Sequence, residues 1–269
     1  MNSAFQVADK TVVVTGAAGQ LGQAYTRAFL EAGARVAALD LEDPDPALEA
    51  LTKAYPDGLM THPADVTDKP SLQTALQAIT ATHGVPDVLI NNAAIDSPPS
   101  APPGENGPFE DYPEASWDRV LDVNLKGIFL TCQVFGAAMA GAGRGSIVNI
   151  ASIYGAVSPD QGLYQYRRDR GEVFYKPVAY SASKSGIYNL TRYLASYWGN
   201  TGVRVNTLTL AGVFNHQDNE FLDAYCARIP IGRMAEPADY EGPVLFLASE
   251  ASRYMTGADL VVDGGWTAI

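Results

Sequence analysis

The sequence predicts an α/β fold, a doubly wound parallel sheet in a single domain. Short β-branched runs alternate with helical patterns along the whole length, and the first run ends in a glycine-rich turn that opens a helix. Neither a Gly/Ser linker, a long charge run nor an internal repeat divides the chain.

The totals agree. At 269 residues and 28.6 kDa, with 47% hydrophobic residues, the chain can bury one sizeable core. A net charge of −12 and a pI near 4.6 argue against a nucleic-acid surface, which needs clustered Lys and Arg, and for a small-molecule partner. Cys132 and Cys226 lie far apart without metal-like spacing, so reduced thiols in a cytosolic protein are expected and no metal is. The N-terminal MNSAFQVADK has no apolar signal core, and no uninterrupted apolar run approaches ~18 residues. The expectation is a soluble, cytoplasmic protein.

Taken in order, Lys10 to Thr15 (KTVVVT) reads as the first strand, followed by Gly16, Gly19, Gln20, Leu21 and Gly22 and a helical pattern. Backbone N–H groups and a helix N-terminus can meet a pyrophosphate there, because no Cβ obstructs the approach. Arg35 to Leu39 is the second strand, and Asp40 at its end can accept from ribose hydroxyls and repel a 2′-phosphate, which favours NAD over NADP. The rival reading is a turn Asp in an acidic loop with Glu42, Asp43 and Asp45. A third strand ends near Pro63-Ala64. Asp65 after it can bond an adenine edge, with Val66 on the ring, or simply cap a helix that starts near Thr67 or Asp68.

Pro86 to Ala94 (PDVLINNAA) is a buried strand whose end, Asn92, Ala93 and Ala94, lets a flat cofactor lie against the backbone. Ser97 to Pro108 is a Pro-rich loop. Trp117 to Met139 is helical and carries Asn124 on an apolar face, either a satisfied core amide or a residue that bends the helix and holds a water. Ser146 to Ile150 is a strand with Ser152 just beyond it, where ligands of open α/β sheets lie. Residues 157–177 then bring Arg167, Arg168 and Arg170, a clamp for an anionic substrate group or a solvated loop or subunit contact. After Arg204 to Leu208, Gly212 and Val213 offer backbone groups to a nicotinamide amide, and residues 212–232 form a lid that His216 opens. Phe221 to Arg233 and Pro237 to Ser249 read as helices, and Leu260 to Val262 makes about seven strands in all.

Between these lies Val178 to Trp198, a helix with Tyr180 and Lys184 one turn apart on one face. Tyrosine titrates near ~10, so proton removal at neutral pH requires about 4 kcal/mol of phenolate stabilisation from nearby positive charge. Lys184 can supply part of it.

The motifs TGAAGQLG (15–22), Asp40, DV (65–66), NNAA (91–94), NLKG with Asn124, Ser152, YSASK (180–184), RVN (204–206) and VDGG (262–265) stand in the order found in the short-chain dehydrogenase/reductase family, which the chain resembles over almost its whole length. The resemblance implies a Rossmann-type fold and an NAD(P)-dependent oxidoreductase. It implies a catalytic tetrad of Asn124, Ser152, Tyr180 and Lys184 and, as a rule, a homotetramer. By this reading Ser152 holds the substrate oxygen, Tyr180 takes its proton, Lys184 bonds the nicotinamide ribose and Asn124 holds a relay water. The substrate expected is a secondary alcohol, or a lactol, on a polar, sugar-like or acidic small molecule. Three departures stand out. Gly19-Gln20 resembles the longer epimerase and dehydratase branch; Ala94 and Ala211 replace a usual Gly and Pro; and residues 157–177 are longer than usual, so they must loop out for the tetrad to form. An epimerase or dehydratase using bound NAD, and a non-catalytic dinucleotide sensor, are the alternatives.

Overall fold

The computed structural model describes residues 3–41, 46–96 and 103–269; Glu42, Asp43, Asp45 and residues 97–102 of the Pro-rich loop lie outside the described residues. The strands are β1 (Thr11–Thr15), β2 (Arg35–Asp40), β3 (Leu59–Pro63), β4 (Val88–Asn91), β5 (Gly145–Ser152), β6 (Val203–Leu210) and β7 (Asp259–Val262). They pair in parallel in the order β3-β2-β1-β4-β5-β6-β7. The order reverses between β1 and β4, and a crevice at such a switch point is where open α/β sheets take ligands.

Alternation along each strand feeds two cores. Val12 and Val14 join Tyr25 and Phe29 of helix Gln20–Glu31 and Val244 of helix Glu241–Ala248 on one face. Val13 joins the other face with Leu72 of helix Lys69–His83, Phe135 of helix Glu114–Ala142 and Ile187 of helix Val178–Trp198. Glu114–Ala142 is long and apolar enough to cross a membrane by length and composition alone, yet half of its apolar window is buried in the protein, against the sheet. Two π-turns, Asp122–Lys126 and Cys132–Gly136, widen it.

Between the sheet and these helices runs a buried polar chain. Thr131 Oγ1 donates to Asn91 Oδ1 at 2.6 Å, Asn91 Nδ2 to Asn149 Oδ1 at 2.8 Å and Asn149 Nδ2 to Thr191 Oγ1 at 2.9 Å. It fixes β4 and β5 against the helix Val178–Trp198, because each member left alone would strand a buried polar group.

A third apolar cluster lies over the carboxyl ends of the strands. Residues 157–177 do not hang free. They fold into a turn, Gln161–Tyr164, and a short helix, Gln165–Asp169, and Tyr164 and Phe174 pack with Phe221 and Tyr225 of helix Asn219–Cys226.

Some elements differ from expectation. The helix expected over Phe221 to Arg233 ends at Cys226, since Pro230 cannot donate and Gly232 turns the chain at φ +81°. His216 does not open that helix. It occupies the preceding turn at φ +55°, and Asp218 is the N-cap. Ser152 is the last residue of β5 rather than beyond it.

Candidate active site

The glycine turn is built for a close approach. Gly16 has φ +62°, and a Cβ there would come 2.7 Å from Ala93 Cα; one on Gly22 would come 2.1 Å from the Gly16 carbonyl oxygen. Gly19 is less constrained, its added Cβ meeting only the Gly16 carbonyl at 3.4 Å. As N-cap it leaves the helix Gln20–Glu31 without a side-chain cap, an end of the kind that can accept an anion. Leu21 packs into the core behind the turn and lines the cleft, whereas Gln20 crosses it, Nε2 donating to the Phe214 carbonyl at 2.8 Å. These residues fit a dinucleotide: a Cβ would fill the cradle, and the helix start is open.

Asp40 closes one side. Its Oδ2 accepts from Ala18 N–H at 2.8 Å and its Oδ1 from Leu41 N–H at 2.8 Å, which holds the carboxylate at the mouth of the turn. Asp65 Oδ1 accepts from the N–H and hydroxyl of Thr67, as a cap does, at 2.8 and 2.7 Å. Val66 is 8% exposed, with Gly127 opposite, where an added Cβ would come 2.9 Å from Val66 Cγ2. Asn92 Nδ2 donates to the Thr15 and Gly16 carbonyls at 3.0 Å each, so its amide braces the turn, and Thr15 Oγ1 accepts from the N–H groups of Asn92 and Ala93. Ala94 lines the cleft. Gly212 N–H donates to Tyr225 Oη at 2.7 Å, and Val213 bridges to Ala235. The backbone after β6 therefore already has partners in Tyr225 and Ala235.

At the carboxyl end of β5, Ser152, Tyr180 and Lys184 come together around a cleft of about 500 Å³, while Asn124 lies buried outside its lining. Lys184 is 3% exposed, and its Nζ donates to the Ile150 carbonyl at 2.9 Å while lying 5.8 Å from the Tyr180 ring centre. A Cβ at Gly155 would come 2.7 Å from the Lys184 carbonyl carbon, so only glycine lets the segment after β5 approach this helix so closely. Burial pushes the Lys184 pKa down to about 8, against an upward pull from Asp96. Burial and then Asp96 hold the Tyr180 phenol above its ordinary value, and a hydrogen bond with Ser152 pulls it back. Ser152 Oγ also accepts from Tyr154 N–H at 3.2 Å. Asn124 is fully buried in the first π-turn. Its Oδ1 accepts from Ile95 N–H at 2.8 Å, and its Nδ2 donates to the Ile95 carbonyl at 2.9 Å and to Ser183 Oγ at 3.1 Å.

The arginines of the insertion part company. Arg167 lines the cleft but pairs with Glu172 and stacks on Phe174 at 4.3 Å. Arg168 does not line it; its guanidinium donates to the Gln161 carbonyl at 2.7 Å and the Phe174 carbonyl at 2.9 Å, holding the loop's own shape. Arg170 reaches Glu220 at 2.5 Å and Asp218 at 3.6 Å, and Arg228 pairs with Asp160, so the insertion is tied to residues 218–228. Sequence reasoning missed Asp96 and Lys176, which line the cleft and pair across 80 positions. The available signal was weak: Asp96 stands two residues after NNAA, and Lys176 is the last charge before the Tyr180 helix.

A family profile described as enoyl-(acyl carrier protein) reductase matches residues 16–267. The chain belongs to the short-chain dehydrogenase/reductase family. Its curated relatives include D-threitol dehydrogenase of Mycolicibacterium smegmatis, 37% identical over 98% of this chain and 95% of the relative. NAD-dependent glycerol dehydrogenase of Listeria innocua is 31% identical over 98% and 96%. Among solved structures, a short-chain dehydrogenase of Leptospira borgpetersenii with bound NAD+ superposes with a TM-score of 0.84, 33% identity and coverage of 99% and 96%. This short-chain dehydrogenase/reductase is thus an oxidoreductase of alcohols and ketones that uses a nicotinamide dinucleotide.

Proposed function

We propose that the enzyme oxidises a neutral polyol at a secondary hydroxyl to the corresponding ketose, with NAD as acceptor and Tyr180 as general base. The observation that carries this is the convergence of Ser152, Tyr180 and Lys184 in a cleft whose other charges are matched: Lys176 with Asp96, Arg167 with Glu172. Apart from Lys184, which the mechanism below assigns to the phenolate, the described cations of the cleft are ion-paired, so an acidic substrate gains little there and hydroxyl groups suit it; the threitol and glycerol dehydrogenases among the relatives point the same way. Asp40 at the mouth of the turn would repel a 2′-phosphate, which supports NAD.

In this mechanism the Ser152 hydroxyl holds the substrate oxygen while the Tyr180 phenolate removes its proton. The buried Lys184 ammonium stabilises the phenolate in a medium where its charge is weakly screened. Asn124 acts as a positioning residue, joining the backbone of Ile95 to Ser183 of the Tyr180 helix. Gly16, Gly22 and the open helix start would hold the pyrophosphate, and the bound nicotinamide supplies the hydride acceptor. The insertion and lid roof the cleft against water. We place the enzyme in the cytoplasm, as a homotetramer, without nucleic-acid or membrane partners.

The test is NADH formation across a panel of polyols, sugars and sugar acids, with NAD and NADP compared. Neutral polyols are expected to react, NAD to be preferred, and Tyr180→Phe to lose at least ~10²-fold in kcat. Retention of most activity by Tyr180→Phe would remove the phenol from the mechanism. Absence of net NADH would favour an epimerase or dehydratase.

A further inference from the structure

We propose that the Asp96–Lys176 ion pair selects a polyol over a simple alcohol by binding the hydroxyl on the carbon next to the reacting one. The inference rests on the oxidoreductase reading above and deepens it, naming the feature of the substrate that the site reads.

Both residues belong to the same cleft as Ser152 and Tyr180. Lys176 Nζ lies 5.0 Å from the Tyr180 ring centre and 6.0 Å from that of Tyr154, with its side chain 9% exposed. The Asp96 side chain is 41% exposed, so the carboxylate is the more open half of the pair. Neither is held loosely. Lys176 N–H donates to Gln161 Oε1 at 2.9 Å, and Gln161 Nε2 donates to the Lys176 carbonyl at 3.2 Å, which pins the backbone from both sides. Asp96 follows Ile95, whose N–H and carbonyl both bond to the buried Asn124 amide. Two separate scaffolds thus present an acid and an ammonium beside the catalytic phenol.

The chemistry of the pair specifies its ligand. The carboxylate accepts only and the ammonium donates only, whereas a hydroxyl does both. One hydroxyl can therefore donate to Asp96 and accept from Lys176 without breaking their mutual neutrality. A carboxylate in that place would meet Asp96 as a like charge. A methyl group would shield the pair from water and return no hydrogen bond, and sites built to bond a hydroxyl reject analogues that lack it.

The experiment compares butane-2,3-diol with butan-2-ol, which differ by that one hydroxyl, for the parent enzyme, Asp96→Asn, Lys176→Gln and the double variant. For the parent, kcat/KM should favour the diol at least tenfold. Each single variant should reduce that ratio by at least tenfold, mainly through KM, and the double variant should lose no more than the worse single one, as members of one unit do. Thermal melting and NAD binding of each variant identify any that fails to fold. Equal loss on both alcohols, or a ratio left intact, overturns the proposal while leaving the polyol reading in place. If the parent forms no NADH from any secondary alcohol, the polyol reading itself falls.

Discussion

The Lys184 ammonium is buried with the Ile150 carbonyl as its hydrogen-bond acceptor, and its pKa falls from 10.5 to about 8. The unfolded chain therefore binds more protons than the folded one between those values, and stability rises with pH across that window. Below pH 8 the cost of burying the cation is present in full. Lys184→Met should accordingly raise the melting temperature of the ligand-free protein at pH 7, with the gain shrinking toward pH 10; a gain independent of pH would show that packing, not charge, is responsible. In the proposed mechanism the same burial would serve catalysis, because an ammonium poorly screened by water acts strongly on a neighbouring phenolate. Tyr180 is faced by Asp96 from the segment after β4, Ser152 from β5, Lys176 from the insertion, Tyr225 from the lid, and Lys184 and Tyr188 from its own helix. Asp96 opposes ionisation of the phenol and Lys176 favours it. Oxidation should therefore rise with pH at lower values in Asp96→Asn and at higher values in Lys176→Gln, a displacement that loss of packing alone would not produce.

Among the elements, the insertion packs against the expected lid region, residues 212–232. The rings Phe174, Tyr164, Phe221, Tyr225 and Trp266 follow one another at centroid distances of 4.8, 5.5, 5.2 and 4.4 Å, leading from the insertion through the lid to the C-terminus. Around them lie the exposed pairs Arg170–Glu220 and Arg228–Asp160. Buried aromatic packing outweighs exposed ion pairs: truncating a core Phe costs ~3–5 kcal/mol, an exposed pair ~0–1. Phe221→Ala should therefore speed hydrogen exchange in both residues 160–176 and the helix Asn219–Cys226, and raise KM, whereas Arg170→Ala should change either by little. Exchange confined to the lid helix would mean that the two segments move separately. The insertion's length was legible in the sequence. Its packing was not, because Arg167, Arg168 and Arg170 look equivalent in a row, and only their different neighbours separate a cleft residue from a loop brace and a lid tie.

For the molecule entire, the exposed aromatic residues Tyr193 and Tyr197, stacked 6.1 Å apart on the Tyr180 helix, and Phe129 on Glu114–Ala142 bear on the proposed homotetramer. Tyr197→Glu should lower the mass found by light scattering; an unchanged mass would place the contact elsewhere. Fold class and most strands were readable from the chain because hydrophobic alternation, β-branching and glycine turns act over a few residues, and a parallel sheet repeats them seven times. The same holds for Gly16 and Gly22, whose backbone needs are local, and for Tyr180 and Lys184, which a single helix turn brings to one face. Asn91 and Asn92 show the limit: adjacent in sequence, the last residue of β4 joins the buried polar chain and the next, just past the strand, braces the glycine turn. Asp96 meeting Lys176, Asn124 clasping Ile95 and Gln20 reaching Phe214 were settled by the tertiary structure alone. Those contacts join segments far apart in the chain, and which partner a side chain finds there depends on how the helices and loops pack over the sheet, a property no local pattern encodes.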